Sequence, residues 1–416
     1  MSVLGTGKAV LRGIYALHKA AAVKPNRVAV ISRQSNAPSI DIQMLTEALR
    51  ADGDLDVRVL CRTLDGGLAA KIKYALHMIG PQMHTLATSK VIVLDSYCIA
   101  ASILNHKRDL TVIQMWHAMG ALKKFGKSVL DQKEGSSRKL AEAMDMHRGY
   151  DVILASSETS RKYFAEAFGY GEEVFEILPL PKADLLTDPD WMAAKKEELL
   201  QKVPVLRGKK VALYAPTFRK GGDPAEQLKG MESLSAAFAQ ANAAAGSAST
   251  SQDGADEWVL LLSPHPLMGE EELPGTVTPP GFATKDLLAV CDQFITDYSA
   301  AVYEAVLADK PVSLYTYDLD TYLDDRGFYL DFRTDMPAVP ITEAAGVVRE
   351  VQHFAAAGGQ DGAGSAGSAR ETAMARQHAF RDRYITMPEG DSCTGRLTEL
   401  IREKLKYKSL ATGKRR

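Results

Sequence analysis

The chain has 416 residues, of which 46% are hydrophobic and 25% charged, and its formal net charge is -2. That length suffices for two domains with separate cores, and the composition is that of a soluble globular protein. A near-neutral balance provides no overall positive field, which argues against a nucleic-acid partner.

The first segment, Lys8 to Val23, has helical spacing. At about 100° per residue, Lys8, Arg12 and Lys19 share one face, while Val10, Ile14, Leu17 and Ala21 gather on the other. Such a basic amphipathic helix is expected either to lie on an anionic membrane surface or to dock its apolar face on the domain. No apolar run reaches the length of about 18 residues that spans a bilayer, and the N-terminus lacks a signal-peptide core, so a cytoplasmic protein is expected. From Arg27 to Ser157, short β-branched runs alternate with helix-like stretches. Val28 to Ile31, Val57 to Leu60, Val91 to Leu94, Val112 to Met115 and Val152 to Leu154 read as buried strands. Asp41 to Ala51 and Ser160 to Phe168 read as helices. That alternation predicts a mainly parallel sheet covered on both faces. Leu186 to Gly208 is charged and helix-prone, and suits a connection between domains.

The strand pattern restarts with Val211 to Tyr214, Val259 to Leu262, Gln293 to Ile295 and Val312 to Tyr315, predicting a second doubly wound domain. Ala239 to Asp256 and Ala355 to Ser368 are built from small and polar residues. They are expected to be poorly packed insertions, or, where alanine-rich, extensions of helices. The tail from Lys404 ends Gly413-Lys414-Arg415-Arg416 and adds positive charge near a membrane. The domain boundaries expected are 1–185, 186–385 and a C-terminal helix with a basic tail over 386–416. The four cysteines, Cys61, Cys98, Cys291 and Cys393, are scattered. No disulfide framework or zinc site is expected from them.

Several segments carry chemistry. Thr296-Asp297-Tyr298-Ser299 is a polar turn between an apolar strand and the helix-forming run Ala300 to Leu307, at the sheet edge where α/β folds place ligands and where helix N–H groups attract phosphate. His117 directly follows the strand that ends in Met115-Trp116. With an ordinary pKa near ~6.5 it can accept a proton from an alcohol, or it is a histidine hydrogen-bonded at a strand end. Thr217 and Arg219 follow another strand and suit a phosphate, the alternative for Arg219 being a surface position. His265 lies between two prolines, either aimed at developing charge or simply a loop histidine. Asp297 would repel phosphate and fits a hydroxyl or the turn backbone better. Gly5-Thr6-Gly7-Lys8-Ala9 lacks two features of a phosphate loop. Asp318-Leu319-Asp320 is too common a triplet to imply a metal, and no metal site or cofactor is expected. His147 has no assigned function.

Gln114-Met115-Trp116-His117-Ala118-Met119-Gly120-Ala121-Leu122-Lys123-Lys124, Ala215-Pro216-Thr217-Phe218-Arg219, Pro264-His265-Pro266, the Asp297 turn, Tyr315-Thr316-Tyr317-Asp318 and Arg326-Gly327-Phe328-Tyr329 occur in that order. Together they resemble the CDP-glycerol glycerophosphotransferase family, the primases and polymerases of teichoic acid synthesis, over roughly Val28 to Arg396. One departure is Ala118, where the family usually has glycine. The resemblance implies two Rossmann-like domains facing a cleft, the glycosyltransferase-B architecture. It implies transfer of glycerol phosphate from CDP-glycerol to a lipid-linked glycan or polyol-phosphate acceptor, with CMP leaving and contact with the inner face of the cell membrane. His117 and His265 would be catalytic, His117 as the base. Thr217, Arg219, Asp297, Tyr298, Ser299 and Arg326 would hold the donor, although Arg326 equally suits a structural salt bridge with Asp331. The rival expectations are a ribitol-phosphate transferase, a UDP-sugar transferase or epimerase of the same architecture, and a non-catalytic nucleotide-binding scaffold.

Overall fold

Short runs of β-branched and aliphatic residues, buried on both faces, build two parallel sheets. In the computed structural model, which describes residues 3–64, 66–133, 135–219, 224–248, 257–264, 273–357 and 365–406, each sheet has six strands. The first contains β1 (Arg27–Ser32), β2 (Asp56–Cys61), β3 (Val91–Leu94), β4 (Thr111–Gln114), β5 (Val152–Ala155) and β6 (Phe175–Ile177), in the order β2-β1-β3-β4-β5-β6. The second contains β7 (Lys210–Ala215), β8 (Trp258–Leu262), β9 (Thr276–Val277), β10 (Gln293–Thr296), β11 (Val312–Tyr315) and β12 (Pro340–Ile341), in the order β12-β11-β10-β7-β8-β9. All residues of β1, β3 and β5, and of β8, β10 and β11, are buried, as strands covered by helices on both faces must be. Each sheet reverses its strand order near the middle, between β1 and β3 in one and between β10 and β7 in the other, so each unit is doubly wound.

The units are not simple halves of the chain. One is formed by residues up to Met119, Lys124–Asp184 and the chain from Thr386 onward; the other by Gly120–Lys123 and Leu185–Ile385. The C-terminal helix Cys393–Lys406 therefore belongs to the first unit. It buries Cys393, Leu397 and Ile401, spaced i, i+4, i+8 on one face. The Asp184 carboxylate caps its start, accepting from Cys393 N at 2.7 Å, Thr394 N at 2.9 Å and Thr394 Oγ1 at 2.6 Å. Near its other end, Arg402 pairs with Asp52 and Asp54.

In the second unit the helices Pro224–Ala248 and Ala344–Ala357 cover one sheet face over a core that includes Tyr214, Phe238, Trp258, Val347 and Val351. Residues 239–248 of the expected first insertion continue that helix, the outcome foreseen for an alanine-rich stretch. Residues 249–256 and 358–364 lie outside the described residues, as does the tail beyond Lys406.

The first helix, α1 (Val3–His18), meets its unit with the face opposite to the one expected to dock. Lys8 pairs with Asp145 at 2.5 Å and donates to Ala143 O, Arg12 donates to Ile103 O, and Lys19, just beyond the helix, donates to Asn105 O. The basic residues dock the helix, whereas Val10 and Leu17 are 57% and 77% exposed. A helical wheel groups residues by face but does not say which face finds carbonyls and a carboxylate to bind. Among the described residues no helix is long and apolar enough to cross a membrane.

Candidate functional site

At the carboxyl edge of the first sheet, Gln114 closes β4 and Trp116 takes a left-handed backbone conformation, φ 61°. A bulky residue there is strained by about 1–3 kcal/mol, and packing must hold it. Trp116 stacks on Phe125 with centroids 5.1 Å apart, meets Phe168 edge-on, and donates its backbone N–H to the Gln114 side chain. The buried His147 ring also lies edge-on to Trp116. The residue with positive φ in this turn is Trp116, and Ala118 needs no glycine-like backbone.

The turn presents His117 to solvent with one ring nitrogen fixed. Its Nδ1 lies 2.9 Å from the Asp95 carbonyl oxygen. A carbonyl only accepts, so Nδ1 carries the proton and Nε2 holds the lone pair. The Gln34 amide, 3.1 Å from Nδ1, then turns its oxygen rather than its nitrogen to the ring. The surrounding protein disfavours the charged imidazolium and lowers the pKa to about 4; the Asp95 hydrogen bond opposes this and the nearby Lys182 charge adds to it. The solvent-open ring keeps some hydration, but the direction is clear, and His117 is neutral at pH 7. Asp95 itself is buried and accepts from Ser32 Oγ at 2.7 Å and Ser96 Oγ at 2.9 Å. Burial raises its pKa, with those hydroxyls opposing. Asp95, Ser32 and Gln34 lack a motif of their own. Only their positions at or just beyond the ends of β3 and β1 mark them.

The second unit gathers Thr217, Arg219, Asp297, Tyr298 and Asp318 at the carboxyl ends of β7, β10 and β11. Arg219 donates from Nε and Nη2 to both Asp318 oxygens, at 2.5 and 3.0 Å, and from Nη1 to Asp297 at 3.0 Å and to the Thr217 carbonyl at 2.9 Å. Burial works against its charge, but Asp297 and Asp318 outweigh it and raise the pKa. The guanidinium read from sequence as a phosphate grip has most of its donors engaged by these carboxylates. Asp297, fully buried, also accepts from Thr217 N and Tyr298 N, which ties the β7 and β10 turns together. Tyr298 stacks on Tyr322 with centroids 3.6 Å apart and donates its hydroxyl to Asp318 at 2.9 Å. Ser299 Oγ accepts from Ala301 N. Thr217 Oγ1 is shielded from solvent and has no hydrogen-bond partner among the described residues.

A further cation enters this cluster from the first half of the chain. Leu122 O accepts from Tyr329 N at 2.9 Å and Lys123 forms a bridge with Phe328, so the Arg326-Gly327-Phe328-Tyr329 segment holds Lys123 in place. Lys123 Nζ donates to Tyr322 Oη at 3.1 Å. Burial lowers its pKa to about 8; Asp297 opposes that shift, and Arg326 and Arg219 reinforce it. Sequence reasoning quoted Lys123 within a motif but gave it no task. Arg326 is half-buried, and burial lowers its pKa. His265 lies outside the described residues. The two carboxylates of the Asp318-Leu319-Asp320 triplet diverge, with side chains 8% and 88% exposed, and Asp320 pairs with Arg333. Among the described residues no group of three or more His, Cys, Asp or Glu is placed to hold a metal.

The sequence matches the family described as CDP-glycerol:poly(glycerophosphate) glycerophosphotransferase over residues 14–392. It is 29% identical over 380 residues to a teichoic acid ribitol-phosphate primase of Bacillus spizizenii, covering 89% of each chain. It is 28% identical over 287 residues to a teichoic acid glycerol-phosphate primase of Bacillus subtilis, covering 67% of this chain and 69% of that one. The fold is similar to that of the wall teichoic acid polymerase TagF, with a TM-score of 0.70 at 20% identity, covering 96% of this chain and 94% of that chain. The two doubly wound α/β units are thus of the glycosyltransferase-B type. The relatives include both glycerol- and ribitol-phosphate enzymes, and this chain belongs to the CDP-glycerol:poly(glycerophosphate) glycerophosphotransferase family, the teichoic acid primases and polymerases.

Proposed function

We propose that this chain transfers glycerol phosphate from CDP-glycerol to a hydroxyl of a lipid-linked glycan or polyol-phosphate acceptor. The observation that carries the reading is the single tautomer of His117, neutral and with Nε2 open, at the carboxyl edge of its sheet in a chain of this family. Nε2 takes the acceptor hydroxyl proton as that oxygen attacks the phosphorus bearing the polyol. The bond to the CMP oxygen breaks, and CMP leaves with the electron pair. In this reading the first unit carries the acceptor and base, and the second holds the donor. Arg219, Asp297 and Tyr298 shape the donor turns. Lys123, Arg326, Thr217 and Ser299 face the diphosphate and stabilise charge on the departing nucleotide. His265 keeps its proposed part on the donor side.

CDP-ribitol is the second reading for the donor, supported by the ribitol-phosphate primase, which aligns over 89% of both chains.

The same proposal includes peripheral contact with the anionic inner face of the cell membrane. Helix α2 (Leu68–His77) exposes Leu68, Ile72 and Leu76 in one stripe, 75%, 51% and 65% exposed, with Lys71 and Lys73 exposed beside them. Apolar side chains flanked by ammonium groups suit a headgroup layer.

The test is CMP release from CDP-glycerol and from CDP-ribitol with a lipid-linked acceptor. His117→Ala should lower turnover by about 10²–10⁴-fold while the protein stays folded. Near-wild-type turnover in that variant would remove His117 as the base, and no CMP from either donor would end the transferase reading.

A further inference from the structure

His147 has no task in the sequence reading, yet it is only 3% exposed and set among four aromatic rings, those of Tyr97, Trp116, Tyr150 and Phe168. Its tautomer follows from the hydrogen bonds around it. Gln114 turns its side-chain oxygen to Trp116 N, so its amide N–H group meets the Tyr150 hydroxyl. That hydroxyl donates to His147 Nδ1, 3.1 Å away. The ring proton therefore sits on Nε2, which has no hydrogen-bond partner among the described residues. Burial keeps the ring neutral by lowering its pKa to about 3, and the nearby Lys127 charge adds to that shift.

His147 and Lys127 line one cavity of about 500 Å³ within the first unit. Lys127 is half-buried, and its ammonium meets no carboxylate or other acceptor among the described residues. Burial lowers its pKa, as it does for a cation without a counter-charge. Its stem lies against Gly169, where a β-carbon would come within 2.7 Å of Nζ, so glycine leaves the ammonium its place. The wall carries three cations, Lys127, Arg138 and Arg148, against two carboxylates, Glu142 and Asp145. Asp145 is further offset from behind, because Lys8 at 2.5 Å and Arg12 at 3.7 Å share it with Arg148 at 3.5 Å. Glu142 is exposed.

We infer that this cavity binds a small phosphate monoester, whose oxygens accept from Lys127 Nζ and His147 Nε2. An ammonium and an imidazole N–H both donate, the pairing an oxyanion needs. The volume also admits the carbon skeleton of the ester. Glu142 repels a second phosphate but accepts from hydroxyl groups, which favours a polyol monophosphate over a nucleotide or a polyphosphate chain. The site shares no residue with the donor cluster and does not rest on the transferase reading. Gly169 and Tyr170 stand in the wall just before β6, toward the amino ends of the strands, whereas His117 stands at their carboxyl ends. A single ring contact, His147 to Trp116 with centroids 6.1 Å apart, joins the cavity to the turn that presents His117.

Glycerol 3-phosphate, titrated calorimetrically into the full chain with CDP saturating, is the probe, the CDP excluding any binding at a nucleotide site. The wild type should bind it, and Lys127→Gln should weaken that binding by about 10–100-fold, the loss of a charge-assisted hydrogen bond. Lys127→Arg keeps the charge and should stay within several-fold of the wild type. His147→Asn, which tolerates the left-handed backbone of φ 59° at this position, should also weaken it. An unchanged melting temperature reports that Lys127→Gln is folded. No binding by the wild type, equal binding by Lys127→Gln, or binding that CDP abolishes overturns the site. Sedimentation with phosphatidic acid vesicles that depends on Lys127, without any glycerol 3-phosphate binding, would assign the ammonium to a lipid headgroup and also overturn it. A chain that binds through Lys127 yet releases no CMP leaves this site standing and removes the transferase reading instead.

Discussion

An imidazole whose Nδ1 proton is held by the Asp95 carbonyl keeps its lone pair on Nε2, and lowering its pKa keeps that lone pair available in mild acid. A base must be deprotonated to act, so activity should be lost only as pH falls through the His117 pKa. The acid limb of kcat/KM for the acceptor should therefore lie clearly below the ordinary histidine value of ~6.5. A limb at or above that value would contradict the lowered pKa. Lys123 sets the other side. In the proposed donor role its ammonium would hold phosphate only while protonated, and with a pKa of about 8 the charge is lost as pH rises through that value. The kcat/KM for the donor should decline above about pH 8, and Lys123→Arg should move that decline upward because guanidinium stays charged. An unmoved limb would exclude Lys123 from donor binding.

The orientation of the first helix separates two tasks that a basic amphipathic pattern merges. Lys8 and Arg12 share Asp145, and each also binds a backbone carbonyl, so glutamate at both positions should lower the melting temperature. Binding to anionic vesicles should instead respond to Leu68→Glu with Ile72→Glu on α2, where the apolar stripe is exposed. Sedimentation with vesicles alongside thermal melting distinguishes these outcomes. Vesicle binding that survives the α2 changes would remove that stripe from membrane contact. The central strands were legible because continuous β-branched runs buried on both faces have few other uses in a chain of this composition. Of the four edge strands, β2 with six residues was legible too, whereas β6, β9 and β12, with three, two and two residues, were not, since so short a run has no periodicity to read. Thr217, Arg219, Asp297 and Tyr298 were legible as strand-end residues, and the structure brings them into one cluster. Their hydrogen bonds were not, because a guanidinium after a strand looks the same whether it meets a ligand or two carboxylates supplied by residues 78 and 99 positions away. Lys123 was given no task because its environment comes from residues distant in sequence.

Over the whole molecule, the final helix completes the first unit, and Asp184 is the latch. Asp184→Ala should remove three hydrogen bonds to the helix start and destabilise the protein by about 1–3 kcal/mol. Ending the chain at Ile385 should do more, because it exposes the surface that Leu397 and Ile401 cover. Chemical unfolding of both forms checks this, and a truncated chain with wild-type stability would show the helix to be dispensable. The latch also dictates an order of events during synthesis. Cys393 reaches Asp184 across 209 positions of chain, so the unit whose residues leave the ribosome first is the last to be closed. Residues Leu185–Ile385 are all available before that closure, and the second unit awaits nothing further along the chain. A chain ended before this helix thus carries the His117-bearing sheet with the apolar surface under Leu397 and Ile401 left uncovered.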